Sequence, residues 1–222
     1  MNSIEIRDVL AADIPAIKAV IAATWDWVSL IKDEKTLDSA ISIYLNQVLY
    51  AATFGRVAVL NGNVAGVIFG VIDGAAPEYR MCMEDTTQHA VVLLGASKED
   101  RENIYEYLSR LHIIYEELVS GFIGSYGGTV DFLVLAKEAQ GLGVGKSLWV
   151  ALKSYFEENE KNKKSVTSVY LYSDTECNFG FYEHLGFTKR AEQDVTFVFN
   201  GEDFKTSIFL YDIQIQKKAA TP

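Results

Sequence analysis

The sequence predicts an α/β fold, and three observations carry that expectation. Short runs of alternating or continuous apolar residues take turns along the chain with longer runs at helical spacing. Asn61-Gly62 and Asn200-Gly201 each sit between apolar runs, as tight hairpin turns do. Finally, a strand-like run ending at Leu135 passes through a glycine-rich stretch, Gln140 to Lys146, into a helical pattern.

Taken in order, Ile4 and Ile6 flank a polar residue and mark a short strand. Asp13 is placed as the N-cap of a first helix, with Pro15 in its first turn and Ile17, Val20, Ile21 and Thr24 at helical spacing. Leu37, Ile41, Tyr44, Leu45 and Val48 form the apolar stripe of a second helix over 34–50. Trp25 and Trp27 lie between the two, where they either line a pocket or plug the helix junction. Runs 57–60 and 64–71 then form a hairpin. The second is so continuously apolar that both its faces should be buried.

Residues 74–128 break this rhythm. Ser97 and Asp100 resemble a weakened capping box. Ile104, Leu108, Leu111, Tyr115 and Leu118 follow as one helix ending near Gly121. The segment holds nine acidic residues against four basic, and reads either as an inserted lid or docking element or as a plain structural insertion. Beyond it come a strand over 129–136, a helix over 143–159 and a strand over 166–172. A short helix over 178–185 and a hairpin of 195–199 with 204–211 complete the pattern. The expected organisation is one domain, 1–213, carrying the 74–128 insertion with its one helix, and a flexible tail at 214–222.

Composition excludes several classes. The hydrophobic share of 49% is that of a globular chain. No apolar run reaches the roughly 18 residues of a membrane span, and the N-terminus shows no signal peptide. A net charge of −10 argues against nucleic acid as a partner. The same charge suits a cationic amine, or simply a soluble surface. Cys82 and Cys177 stand in unrelated contexts, which fits a reducing, cytoplasmic setting. The histidines and cysteines show no metal-ligand spacing.

The glycine-rich stretch is the most informative. A strand, a tight turn and a helix start leave unpaired N–H groups facing one way, with the helix dipole behind them, which makes an anion site. A Walker loop would need glycine where Gln140 stands, and a dinucleotide fingerprint would need one at Lys146 or Leu148, so both fail. Gln140-x-x-Gly143-x-Gly145 instead resembles the Gln/Arg-x-x-Gly-x-Gly/Ala motif of the GCN5-related N-acetyltransferases (GNAT). A second segment, Tyr182-x-x-x-Gly186-Phe187 with Asn178 four residues before the tyrosine, resembles the same family's Asn-x-x-x-x-x-Tyr-x-x-x-Gly-Phe signature, with the asparagine two residues nearer the tyrosine than the signature has it. The two occur in the family's order and at about its spacing. Lys137 replaces the proline many members carry, and Thr129 stands where several place a glutamate base.

The resemblance implies a GNAT fold: a mixed, mostly antiparallel central sheet of about seven strands with helices on both faces, and here a helical insertion after the third strand. It implies acetyl-CoA as cosubstrate and transfer to a primary amine, on a small molecule or a peptide, by direct attack in a ternary complex. Carried over by residue, Leu133, Val134 and Leu135 bind the pantetheine arm, and the Leu135 N–H polarises the thioester. Gln140, Gly141, Leu142, Gly143, Val144, Gly145 and Lys146 hold the pyrophosphate. Asn178 bonds the cofactor or caps its own helix, and Tyr182 gives a proton to the leaving thiolate or braces the helix. Asp131, one pleat beyond Thr129, is the candidate base, with a threonine, water or main-chain carbonyls as alternatives. The same cofactor contacts would serve an idle acyl-CoA-binding sensor or scaffold. A homodimer stays open.

Overall fold

The computed structural model describes residues 4–25, 27–161 and 166–215. β1 (Ile4–Asp8) leads to α1 (Ile14–Thr24), the single-turn α2 (Trp27–Leu30) and α3 (Glu34–Ala51). β2 (Phe54–Leu60) and β3 (Asn63–Ile72) precede two helices, α4 (Thr86–Gly95) and α5 (Lys98–Ser120). β4 (Gly128–Leu135), α6 (Val144–Lys161), β5 (Ser168–Asp174), α7 (Gly180–His184), β6 (Thr188–Phe199) and β7 (Glu202–Gln214) complete the order. The strands form one seven-stranded sheet in the order β1-β2-β3-β4-β5-β7-β6. Every neighbouring pair is antiparallel except β4 with β5.

The expected architecture is present, and local chemistry explains most of it. Asn61 and Gly62 take φ of 52° and 88°, the left-handed pair that a two-residue hairpin turn requires. β3 is buried on both faces from Ala65 to Gly70, as its unbroken apolar run demands. On one face α1 and α3 bury Ile17, Ile21, Leu45 and Leu49 against Val57, Val67 and Phe132. On the other, α6 buries Val144, Leu148, Leu152 and Phe156 against Ile68, Val169 and Tyr211.

Four expectations change. The 74–128 segment carries two helices, not one. α4 has no buried residue, so it lacks the stripe that would have revealed it. Asp13 stands at the N-cap position of α1, but its side chain makes no capping bond. Buried beneath Arg7, it pairs with that guanidinium at 2.7 and 2.8 Å and accepts the Leu10 N–H at 2.8 Å. Strand β6 starts seven residues before Val195, and α7 starts two residues after Asn178. Of the expected tail, residues 216–222 lie outside the described residues.

The insertion is built into the molecule. Ser97 caps α5, accepting the Asp100 N–H at 3.0 Å. The Asp100 carboxylate takes the Ser97 hydroxyl and the Lys32 N–H instead of turning back to the cap. Ile114 and Leu118 of α5 are buried with Phe197, Ile208 and Leu210 of β6 and β7. At about 1.5–3 kcal/mol for each fully buried large aliphatic side chain, this contact anchors the helix. Asn103, also buried, donates to the Leu30 carbonyl at 2.9 Å and to Asn200 Oδ1 at 2.7 Å, and accepts the Asn200 N–H at 3.3 Å. One side chain thus joins α2, α5 and the β6–β7 turn.

Candidate active site

The site begins where the sheet comes apart. β4 and β5 pair only at Gly128 with Val169 and Thr129 with Tyr170. Thr129 Oγ1 closes the paired part by donating to the Tyr170 carbonyl at 3.0 Å. At that point the register of β4 with β3 also shifts, Phe69 facing Phe132 while Gly70 faces Val130, so Asp131 occupies a bulge. Ala136 N–H bonds the Ala65 carbonyl of the opposite strand at 2.9 Å. Antiparallel strands alternate their bonding edges, so Val134 and Phe132 also turn their main chain toward β3. Leu133 and Leu135 turn theirs to the edge that β5 has left. The Leu135 carbonyl on that edge takes the Thr24 hydroxyl at 3.2 Å, and its N–H points into the gap. Val134, buried at 3% exposure, contributes to the core.

The glycine-rich loop lies at the end of the same strand. A single 3₁₀ turn, Lys137–Ala139, leads to Gln140, and Gly141 and Gly143 follow at φ of 75° and 80°. Gly143 starts α6, its carbonyl accepting the Ser147 N–H at 3.0 Å. Among the described residues, the N–H groups of Gly141, Gly143, Val144, Gly145 and Lys146 have no hydrogen-bond partner. These donors converge at the start of an 18-residue helix whose dipole favours an anion. Gly145 has a packing reason as well: a Cβ there would meet Leu135 Cδ1 at 3.0 Å and Phe181 Cζ at 3.1 Å. Gln140, Leu142 and Lys146 are exposed around the loop. This donor set fits a diphosphate.

Across the gap stands α7. The Asn178 side chain is exposed and makes no hydrogen bond among the described residues, so it does not cap the helix. Its carbonyl accepts the Phe181 N–H at 3.0 Å, which fixes the backbone and leaves the amide group available. The Tyr182 ring packs against Phe187 and Tyr211 at centroid distances of 5.9 and 6.4 Å. Its hydroxyl has no partner among the described residues, yet it is not sealed from water. Burial, with Cys177 and Asp174 nearby, pushes the phenol well above its usual range. It therefore stays protonated at any working pH.

Asp131 is exposed to water, but it stands in a cleft rather than on a convex surface, and burial pushes its carboxyl up to about 6. It has no ion pair and no hydrogen bond among the described residues. Aromatic rings surround it. On the β4 side, Trp25 lies 5.3 Å from Tyr44 and 5.4 Å from Phe132. Trp27 is buried and touches Tyr44 and Tyr107 at 5.6 and 6.2 Å. Trp27 therefore plugs the helix junction, while half-buried Trp25 belongs to the cleft wall. On the β5 side Tyr115 stacks on Tyr172 at 4.0 Å, and Tyr172 donates to the Tyr115 carbonyl at 2.6 Å. Tyr44 and Tyr115 were legible only as members of helical stripes, and Tyr107 was not singled out at all. A phenol repeatedly chosen where leucine would pack as well was the one signal available.

No group of three or more potential metal ligands converges, and no helix is long and apolar enough to cross a membrane, among the described residues.

Comparison with known proteins agrees with this fold. The family model for the acetyltransferase (GNAT) domain matches residues 84–204, more than half of the chain. Among curated proteins none matches. The fold is similar to that of an N-acetyltransferase from Staphylococcus aureus, at 13% identity and a TM-score of 0.53, covering 96% of this chain and 99% of that one. The Salmonella typhimurium protein yncA, solved with its cofactor acetyl-CoA, is similar at 16% identity and a TM-score of 0.51, covering 98% and 96%. So is the ribosomal-protein-S18-alanine N-acetyltransferase of Escherichia coli, at 13% identity and 0.51, covering 100% and 99%.

Proposed function

Because this chain belongs to the GNAT acetyltransferase family, whose cosubstrate is acetyl-CoA, we propose that it transfers the acetyl group to a primary amine by direct attack within a ternary complex. The observation that carries the reading is the open edge of β4. It presents the Leu133 and Leu135 main chain between a free-amide loop, an unpartnered phenol and an unpaired carboxylate.

Acetyl-CoA supplies an acyl carbon already activated as a thioester. The N–H groups from Gly141 to Lys146 hold its pyrophosphate, with Gln140 beside them and the Lys146 charge added. Leu133 and Leu135 hold the pantetheine arm as an added strand would be held, and the Asn178 amide bonds it from the far side. Asp131 takes a proton from the acceptor ammonium and frees the lone pair that attacks. The Leu135 N–H donates to the acyl oxygen as negative charge builds there. Tyr182 gives its proton to the departing sulfur. Its raised pKa opposes that transfer in isolation, but the desolvation that weakens the phenol also raises the thiol's affinity for a proton.

Initial rates of thiol release, with acetyl-CoA and amine varied together, test the reading. Intersecting reciprocal plots support direct attack; parallel plots would indicate an acetyl-enzyme instead. Tight acetyl-CoA binding without any amine-dependent release would favour the idle sensor.

A further inference from the structure

The face of the gap opposite α6 carries recognition chemistry that acetyl transfer alone does not require. α5 spans this face: its Tyr115 stacks on Tyr172 to form the β5-side wall, and Trp25 with Tyr44 forms the β4-side wall. Tyr170, 5.5 Å from Tyr172, continues the β5-side wall to the point where the strands part. Asp131 lies in β4 between Thr129, which bonds the Tyr170 carbonyl, and Phe132, which packs against Trp25 and Tyr44, and so stands between the walls. The Tyr44 and Tyr115 hydroxyls have no partner among the described residues.

We infer that the acceptor is a monoamine whose single ammonium is carried on an apolar or aromatic arm, the ammonium meeting Asp131 and the arm lying between the Tyr44 and Tyr115 walls. This rests on the acetyl-transfer reading and narrows it. A cation is attracted to ring faces, and apolar or aromatic groups pack against rings, so the walls suit both parts of such a molecule. A polyamine would need a row of carboxylates. Asp174, the next one along, has one of its two oxygens engaged by the Glu176 and Cys177 N–H groups, both at 2.9 Å, and one further carboxylate does not make a row. Part of the acidity of the insertion is held in ion pairs and hydrogen bonds. Glu84 pairs with Lys18, Glu99 with Lys32, Glu106 with Arg110, and Asp100 is bonded to Ser97 and Lys32. An amino sugar or a peptide would leave many hydroxyls or amides facing rings, with two phenols to satisfy them.

The test compares kcat/KM for 2-phenylethylamine, spermidine, glucosamine and an alanine-initiated hexapeptide at saturating acetyl-CoA, read as thiol release. The expected result is a value at least tenfold higher for 2-phenylethylamine than for the other three. Tyr44→Ser should then raise KM for 2-phenylethylamine at least tenfold and KM for ethylamine much less, with acetyl-CoA affinity unchanged as proof of folding. If that variant loses acetyl-CoA binding, Tyr115→Ser replaces it. A preference for spermidine, glucosamine or the peptide overturns the acceptor class and leaves acetyl transfer standing. Equal KM shifts for both amines in a folded variant also overturn it. Thiol release that no amine accelerates overturns this inference and the transferase reading together.

Discussion

Tyr182→Phe separates chemistry from packing. The substitution removes one oxygen and keeps the ring that meets Phe187 and Tyr211. That oxygen has no hydrogen-bond partner among the described residues, so its loss orphans no group there. Stability should therefore change by no more than about 0.5 kcal/mol. Losing a general acid costs about 10²–10⁴ in rate, or roughly 2.7–5.4 kcal/mol of barrier at about 1.36 per decade. The kinetic effect should exceed the thermodynamic one several-fold. Thermal unfolding and acetyl-CoA titration give the first quantity. Single-turnover thiol release gives the second, free of product dissociation. The deficit should shrink with a thioester whose thiol is more acidic, because that sulfur departs without a proton. If Tyr182→Phe keeps full kcat while chemistry limits the rate, the phenol braces the helix and the sulfur is protonated from elsewhere.

Three other perturbations address the remaining parts. Asp131, pushed up to about 6, must be ionised to act as a base, so kcat/KM should climb with pH through that value; Asp131→Asn should abolish the limb and cost about 10²–10⁴. The folded-state pKa lies above the unfolded one, so ionisation costs stability between about pH 4 and 6 and fully above 6. The asparagine variant should consequently unfold later than wild type above pH 6 but not below pH 4, and a pH-independent wild-type rate would remove Asp131 from the chemistry. Gly143→Asp and Gly143→Asn share the same left-handed backbone cost of about 1–2 kcal/mol at φ 80°, so at least about tenfold weaker acetyl-CoA binding by the aspartate alone isolates the anion site; equal dissociation constants by calorimetry would dismiss it. Asn103→Ala strands the Leu30 carbonyl and the Asn200 N–H, predicting a loss of about 2–3 kcal/mol in urea unfolding, against which a loss below about 0.5 would count.

Local signals carried the sequence reading where chemistry is local. Asn61-Gly62 and Asn200-Gly201 were legible because only residues tolerant of positive φ fit those turns. The Ser97 cap was visible for the same kind of reason. The Gln140 to Lys146 loop stood out because a free-amide turn needs glycine in one contiguous stretch. What depends on distant partners was not legible. Residues 188–194 look polar because β6 is a sheet edge whose outward side chains meet water. α4 hid because nothing in it is buried. Arg7 withdrew Asp13 from its expected cap, and no local rule announces such a partner. The aromatic walls draw residues from α3, α5, β4 and β5, so no window of sequence contains them. The parting of β4 from β5 leaves no trace in either strand's composition.

Two paired positions join the halves of the sheet at β4 and β5, so hydrogen bonds alone would leave a slack seam. α5 acts as a tie-bar across it. It is pinned at Leu30 on one side and, through Asn103, Arg110, Ile114 and Leu118, to β6 and β7 on the other. The width of the seam is thus set when the chain folds, before any ligand arrives, and the ordering entropy is spent then. The bar also determines traffic. It lies over one face of the sheet while the amide loop opens at the start of α6 on the opposite face. A nucleotide and an amine would then approach the bulge at Asp131 through separate doorways, neither having to wait for the other to clear the passage.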